Sequence, residues 1–270
     1  MTEQTQETTE DEIPLNAAEE AVEFAKTMLI ALTFALIIRM FIFEPFNIPS
    51  GSMKPSLLVG DYLVANKHAY GYGQYSFSLF LNKHVPAPFE GRIWTTDPKR
   101  GDVVVFYLPE VRQNYIKRVV GLPGETIQVK RGRLYINDKL VPREPVGLQK
   151  DNGTTMVEYI ETLPDGILHR IYERGDDEPL DNTQLFTVPE DHYFMMGDNR
   201  DNSQDSRVQG HVGFVPFKNM VGRADRLFYS TNGSAKLFEV WKWPWTVRYD
   251  RIFSRIGPVR PAPEDTAEIE

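Results

Sequence analysis

The chain contains no cysteine in its 270 residues, which excludes disulfide bonds, iron–sulfur clusters and thiolate zinc sites. This absence is compatible with an exported location but does not establish one. Surplus basic charge is also missing, because the net charge is -8. Residues 1–20 hold seven acidic and no basic residues, and residues 257–270 hold four acidic and one basic residue. The remaining chain is nearly neutral and has no basic stripe, which argues against nucleic-acid binding. We expect both ends to be disordered tails.

Motifs for metal or cofactor chemistry are also missing. No H-E-x-x-H motif or phosphate-binding Walker loop occurs, and the absence of G-x-S-x-G and S-x-x-K disfavours α/β-hydrolases and penicillin-binding enzymes. We therefore predict no metal and no cofactor, and we expect each histidine at the surface or in a turn. The histidines are His68, His84, His169, His192 and His211.

Long apolar runs are scarce, and the one present covers residues 27–43 with a single charge, Arg39. Seventeen residues reach the lower limit of a spanning helix. The uncharged part is only twelve residues long, so an interfacial helix or a buried core helix remains open. Lys26 and Arg39 can extend the span by reaching opposite interfaces. An acidic region precedes the run and no small-residue cleavage site follows it, so we predict a transmembrane anchor over residues 21–43 rather than a cleaved signal peptide.

Beyond the anchor, short β-rich stretches alternate with Gly, Pro, Asn and Asp turns, a pattern typical of an antiparallel sheet or barrel. The stretches are residues 102–108, 115–120, 126–129, 133–136 and 192–196. No long amphipathic helix is evident after residue 50. We predict a mainly β protein, with a main β domain interrupted by a smaller inserted β domain. The predicted boundaries are 44–141 and 192–240 for the main domain, and 142–191 for the insertion.

A serine-rich turn follows the apolar run, and a lysine lies in one of the β stretches. Ser52 needs a base to become a nucleophile, and Lys117 can be that base only when it is neutral. Its pKa must then fall by roughly three units from about 10.4, which burial among apolar groups can achieve. Because side chains alternate along a strand, Tyr115, Lys117 and Val119 should share one face, while Arg118 should point into solvent on the other.

Simpler interpretations exist for each half of this pair. A Ser-Gly-Ser segment flanked by prolines is most often a turn, and a strand lysine is most often solvated. Lys54 is a competing base only two residues from Ser52, although Pro55 and Ser56 offer it little burial.

The order and wording of several segments resemble bacterial type I signal peptidase, the leader peptidase family, from about residue 43 to residue 229. The segments are IPSGSMKP at 48–55, LLVGDY at 57–62, RGDVVVF at 100–106, YIKRVVGLPGE at 115–125 and MMGDNRDNSQDSR at 195–207. The resemblance implies a Ser/Lys dyad, with Ser52 as nucleophile and Lys117 as general base. Ser50 would complete an oxyanion hole with the Ser52 amide. Supporting roles would fall to Ser203, Gly197, Asp205 and Arg207.

The same resemblance implies a membrane-bound serine endopeptidase that cleaves secretory preproteins after small-x-small sites. It places the amino terminus in the cytoplasm of a bacterium and the catalytic domain outside the cell membrane. The charge bias alone does not establish this orientation, because Lys26 is the only basic residue on the amino side that the positive-inside rule can count. Shallow apolar substrate pockets would be lined by Phe46, Ile48, Met53, Leu57, Val105, Tyr115 and Ile116.

Two functions other than signal-peptide removal remain open. A membrane-tethered β domain that binds exported proteins without cutting them remains an alternative, as does a self-cleaving Ser/Lys protease.

Residues 241–256 mix aromatic and basic side chains, which suits either a membrane interface or packing against the β domain.

Overall fold

The computed structural model describes residues 17–77, 87, 89, 91–151, 153–235 and 238–257. The predicted tails therefore lie outside the described residues, apart from 17–20 and 257, and so does His84. Helix α1 spans Ala17–Phe41, and its 25 residues correspond to about 37 Å. It is the only helix in the described residues that is long and apolar enough to cross a membrane, with a mean hydropathy of 1.9. None of its residues is buried.

The helix is longer than the apolar run because it begins ten residues earlier. Glu19 and Glu20 lie in its first turn, where the partial positive charge of the helix amino terminus favours acidic side chains. Arg39 lies in the last turn, where a cation is favourable.

Sixteen strands follow the helix, and every pair of strands is antiparallel in the described part of the chain. The strands are β1 Phe43–Asn47, β2 Asp61–Asn66, β3 Tyr72–Gly73, β4 Arg92–Ile93, β5 Val103–Leu108, β6 Gln113–Gly121, β7 Thr126–Lys130, β8 Arg133–Ile136, β9 Lys139–Leu140, β10 Arg143–Asp151, β11 Thr154–Leu163, β12 Ile167–Glu173, β13 Phe186–Thr187, β14 His192–Met196, β15 Val215–Pro216 and β16 Met220–Ser230. A four-residue helix, α2, spans Trp243–Thr246. The predicted mainly β fold is confirmed, and all five predicted β stretches are strands.

The main sheet contains seven strands in the order β1-β2-β16-β5-β6-β14-β15. Its strands come from residues 43–121 and 192–230. The sheet therefore joins two parts of the sequence that residues 122–191 separate. Burial alternates along β2, so one of its faces is covered, whereas β5, at the centre of the sheet, is buried almost continuously, so both of its faces are covered.

Two smaller sheets form between β6 and β14. One has the order β13-β7-β8-β9, and the other has the order β10-β11-β12. The second covers Arg143–Glu173 and falls within the predicted insertion, whereas β7–β9 precede it. The predicted boundaries at residues 142 and 191 stay a prediction.

Candidate active site

The loop between β1 and β2, residues 48–60, carries Ser52 and is closed at its base by backbone hydrogen bonds. The Ile48 amide donates to the Asp61 carbonyl at 2.8 Å, and the Gly60 amide donates to the Ile48 carbonyl at 3.1 Å. Met53 and Leu57 are fully buried in the hydrophobic core beneath the loop. These apolar contacts hold Ser52 in a fixed and largely buried position.

Lys117 lies in β6, directly beside Ser52. Its Nζ atom is 2.8 Å from the Ser52 Oγ atom and 2.9 Å from the Ile116 carbonyl oxygen. The residue is only 3% exposed. Burial lowers the pKa of Lys117 from 10.5 to about 8, although the nearby charges of Asp205 and Asp198 favour the protonated form. Burial therefore favours the neutral amine, the form that a general base requires.

One face of β6 is occupied as expected, and the other is not. Tyr115 shares the face of Lys117, with its ring centre 5.8 Å from Nζ. Arg118 faces the other way, but the prediction that its guanidinium is solvated is wrong, because Arg118 is completely buried. It forms two hydrogen bonds with the Asp198 carboxylate at 2.8 and 2.6 Å and a third with the Gly101 carbonyl at 2.8 Å. These partners offset the cost of burying its charge.

Lys54, the competing base, points away from Ser52. Its Nζ atom lies 2.7 and 2.8 Å from the two carboxylate oxygens of Asp151, at the end of β10. Lys54 is therefore engaged by Asp151, and Lys117 is the lysine that contacts the Ser52 hydroxyl.

The predicted oxyanion donor Ser50 and two residues with predicted supporting roles, Ser203 and Gly197, lie around Ser52. The Ser50 and Ser52 hydroxyl oxygens are 3.4 Å apart. Ser203 is buried beside Asp205 and makes no hydrogen bond to Lys117 in the described part of the chain. A side chain at Gly197 would lie within 2.2 Å of the Ser203 hydroxyl and 2.6 Å of the Ser52 carbonyl. Glycine is thus required here by the approach of Ser203 and Ser52.

Asp205 and Arg207 form a fully buried ion pair, with Arg207 Nε 2.9 Å from the Asp205 carboxylate. Burial opposes ionisation of Asp205, but the charge and hydrogen bonds of Arg207 hold its pKa below the usual value. Asp205 also accepts a hydrogen bond from the Gly197 amide at 3.0 Å. The pair therefore fixes the backbone that passes behind Ser52.

A buried charged cluster that the sequence analysis missed joins the β10-β11-β12 sheet to this region. His169 is 1% exposed, so the expectation of a surface or turn position is wrong for this residue. Its ring nitrogens lie 2.9 Å from Glu161 and 3.4 Å from Asp198. Arg200 donates to Glu161 as well, at 2.9 Å. Glu161 lies on β11 and His169 on β12, and the acidic and basic partners come together only through folding.

A groove of about 790 Å³ passes Ser52 and Lys117. Five residues predicted to bind substrate line its apolar side: Phe46, Ile48, Val105, Tyr115 and Ile116. Met53 and Leu57 lie beneath the loop in the core. Polar residues line the groove elsewhere: Arg174, Glu178, Asp201, Asn202 and Gln204. Among the described residues, no group of three or more His, Cys, Asp or Glu side chains is arranged to hold a metal ion.

The family model described as signal peptidase, peptidase S26, matches residues 21–229. This chain belongs to that signal peptidase family. Signal peptidase I of Rickettsia canadensis (strain McKiel) is 41% identical over 249 residues, covering 86% of this chain and 92% of the relative. Signal peptidase I of Rickettsia typhi is 40% identical, covering 87% and 93%.

A crystal structure of a signal peptidase I from Enterococcus faecalis V583 is also similar. It is 30% identical, covers 47% of this chain and 97% of its own, and has a TM-score of 0.29. The family membership makes this protein a serine peptidase, a hydrolase whose family removes signal peptides. The predicted family and enzyme class are confirmed.

Proposed function

We propose that this protein is a membrane-bound endopeptidase that removes signal peptides from exported preproteins by a Ser52/Lys117 acyl-enzyme mechanism. The observation that carries the proposal is the 2.8 Å contact between the buried Lys117 amine and the Ser52 hydroxyl. Neutral Lys117 removes the hydroxyl proton as Ser52 Oγ attacks the scissile carbonyl carbon. The resulting oxyanion accepts hydrogen bonds from the Ser52 amide and the Ser50 hydroxyl.

Collapse of this tetrahedral intermediate breaks the peptide bond. The protonated Lys117 gives its proton to the departing amine, which is the amino terminus of the mature protein. Lys117, neutral again, then takes a proton from water, and the hydroxide attacks the acyl-enzyme ester. The signal peptide leaves with a new carboxylate, and Ser52 regains its proton.

The groove and the geometry of an extended peptide support the proposed preference for small-x-small sites. Residues 115–117 of β6 pair with β5, and the described partners of β14 on β6 lie at Arg118, Val119 and Gly121. A preprotein segment can therefore add as a β-strand along the edge of residues 115–117 opposite β5. Side chains two positions apart then point to the same side. The apolar groove wall beside Ser52 receives these two side chains and accommodates small ones.

The proposed attachment to the bilayer involves α1 and residues 241–256. We propose that α1 spans the cell membrane with its amino terminus in the cytoplasm and that residues 241–256 contact the outer face. Trp241, Trp245 and Phe253 are 66%, 81% and 70% exposed, whereas Trp243 packs on Tyr229 with ring centres 5.1 Å apart. In proteoliposomes, where α1 already anchors the chain, brominated lipids should quench the tryptophan fluorescence of wild type more than that of a variant with Trp241 and Trp245 replaced by serine, and equal quenching would refute this contact.

The dyad is tested with the full-length chain purified in detergent and a secretory preprotein as substrate. Wild type should cleave once after a small-x-small site, as shown by sequencing the new amino terminus. Ser52→Ala and Lys117→Met should lose nearly all activity. The matched control is Lys54→Met, which removes the neighbouring lysine held by Asp151 and should retain activity. Cleavage by Ser52→Ala or Lys117→Met at the wild-type rate would refute the mechanism.

A further inference from the structure

Asn199 holds both peptide groups that flank the Cα atom of Ser52. Its backbone amide donates to the Ser52 carbonyl at 3.0 Å. Its side-chain Nδ2 donates to the Gly51 carbonyl at 3.0 Å. Asn199 is only 1% exposed, so water does not compete for these hydrogen bonds. One residue therefore restrains the backbone on either side of the nucleophile.

The bond to Gly51 has a consequence for the amide of Ser52. The Gly51 carbonyl and the Ser52 N–H belong to the same peptide group, which is planar, with the two bonds pointing in opposite directions. A donor that fixes the carbonyl oxygen therefore also fixes the direction of the N–H. Donation to the carbonyl also polarises the peptide group and strengthens its N–H as a donor.

The Oδ1 atom of the Asn199 side chain indicates that the Nδ2 donor determines the orientation of this amide. Its Oδ1 atom is buried and has no hydrogen-bond partner in the described part of the chain. A buried, unsatisfied oxygen is unfavourable and calls for an explanation. Turning the amide over would bring Oδ1 against the Gly51 carbonyl, which can only accept. The side chain is thus placed for its donor alone.

Hydrogen bonds from the β10-β11-β12 sheet and from nearby residues hold the backbone around Asn199 in place. The Tyr172 amide, on β12, donates to the Asp198 carbonyl at 2.8 Å. The Asn202 amide donates to the Asn199 carbonyl at 3.0 Å. Asp198 is fixed by its ion pair with the buried Arg118. The Asn199 side chain therefore projects from a rigid support.

We propose that Asn199 is a positioning residue that aims the Ser52 amide at the developing oxyanion. The inference rests on the proposed function, since it assigns a support to the oxyanion donor of that mechanism. Loss of the support should affect the transition state more than the bound substrate, because only the transition state carries the negative charge. Removing an oxyanion donor costs about 100- to 1,000-fold in rate, and misdirecting one should cost roughly 10- to 100-fold.

The test uses the full-length chain in detergent with Asn199→Ala and Asn199→Ser, whose side chains cannot reach the Gly51 carbonyl. Both should lower kcat by roughly 10- to 100-fold. Affinity for a peptide aldehyde, which adds to Ser52 and places an oxygen at the same site, should fall by a similar factor. Ground-state binding is measured as preprotein affinity in the inactive Ser52→Ala background, and adding Asn199→Ala there should change it less than about twofold.

Asn219→Ala is the matched control, because Asn219 is also a buried asparagine with an unpartnered Oδ1 and lies away from the groove. It should leave kcat unchanged. Wild-type kcat in Asn199→Ala would overturn the inference. So would an unchanged aldehyde affinity, or a loss of preprotein binding as large as the loss of kcat. Activity in Ser52→Ala would instead refute the proposed function, so the two failures are distinguishable.

Discussion

Burial of the Lys117 amine should destabilise the folded protein, and Lys117→Met should relieve this cost in a pH-dependent way. The folded pKa is about 8 and the ordinary value is 10.5. The difference corresponds to about 3 kcal/mol of unfolding free energy at 1.36 kcal/mol per pKa unit. With Lys117 only 3% exposed, solvent screening does not reduce this figure much.

The sign follows from proton binding. Between pH 8 and pH 10.5 the unfolded chain binds the lysine proton more than the folded chain does, so stability rises with pH. The penalty is fully present below pH 8 and has vanished above pH 10.5. Lys117→Met removes this titration. It also removes hydrogen bonds to Ser52 and Ile116, each worth about 1 kcal/mol, but these losses shift the whole curve rather than its slope.

The assay is denaturant unfolding of the full-length protein in detergent, followed by tryptophan fluorescence, at pH 7 and pH 11. The stability of Lys117→Met relative to wild type should be about 3 kcal/mol more favourable at pH 7 than at pH 11. The control is Lys218→Met at an exposed lysine, which should show no such difference. A pH-independent difference for Lys117→Met would refute the claim that burial lowers the pKa of Lys117.

Further predictions concern the pH profile and two ion pairs. The value of kcat/KM for the free enzyme should rise with pH through about 8, as Lys117 loses its proton, and a profile flat from pH 6 to 9 would contradict its role as base. Asp198→Asn leaves the buried Arg118 charge without its partner, so unfolding in denaturant should show a loss of about 3–5 kcal/mol. Asp151→Asn breaks the partly exposed pair with Lys54 and should cost at most about 1 kcal/mol in the same assay.

Local patterns were sufficient to predict five of the sixteen strands and the face of β6 that carries Lys117. Period-two alternation along β6 placed Tyr115 and Lys117 on one side, and the structure has them there. The run of residues 27–43 revealed a helix but underestimated its length, because hydropathy does not count charged residues that a helix tolerates in its first turns.

The same patterns failed where burial depends on distant partners. Alternation correctly sent Arg118 to the opposite face, but solvent was assumed there because nothing near residue 118 in the sequence indicates Asp198. His169 was misplaced for the same reason, since Glu161 and Asp198 reach it only after β11 and β12 pair and dock. A charged residue with no opposite charge near it in the sequence is predicted to be solvated, because its counter-charge reaches it only in the folded chain.

The density of polar residues between Asp198 and Arg207 has a structural explanation. Asp198 binds Arg118, Asn199 holds the Ser52 backbone, and Asp205 binds both Arg207 and the Gly197 amide. Each contact links the segment to a different part of the site. In the proposed mechanism, the buried Lys117 base needs neighbours that are held in place without water, and fully paired charges can provide that rigidity at low exposure. In that mechanism, the charges of this segment serve as supports that exclude water from Lys117 and keep Ser52 aligned.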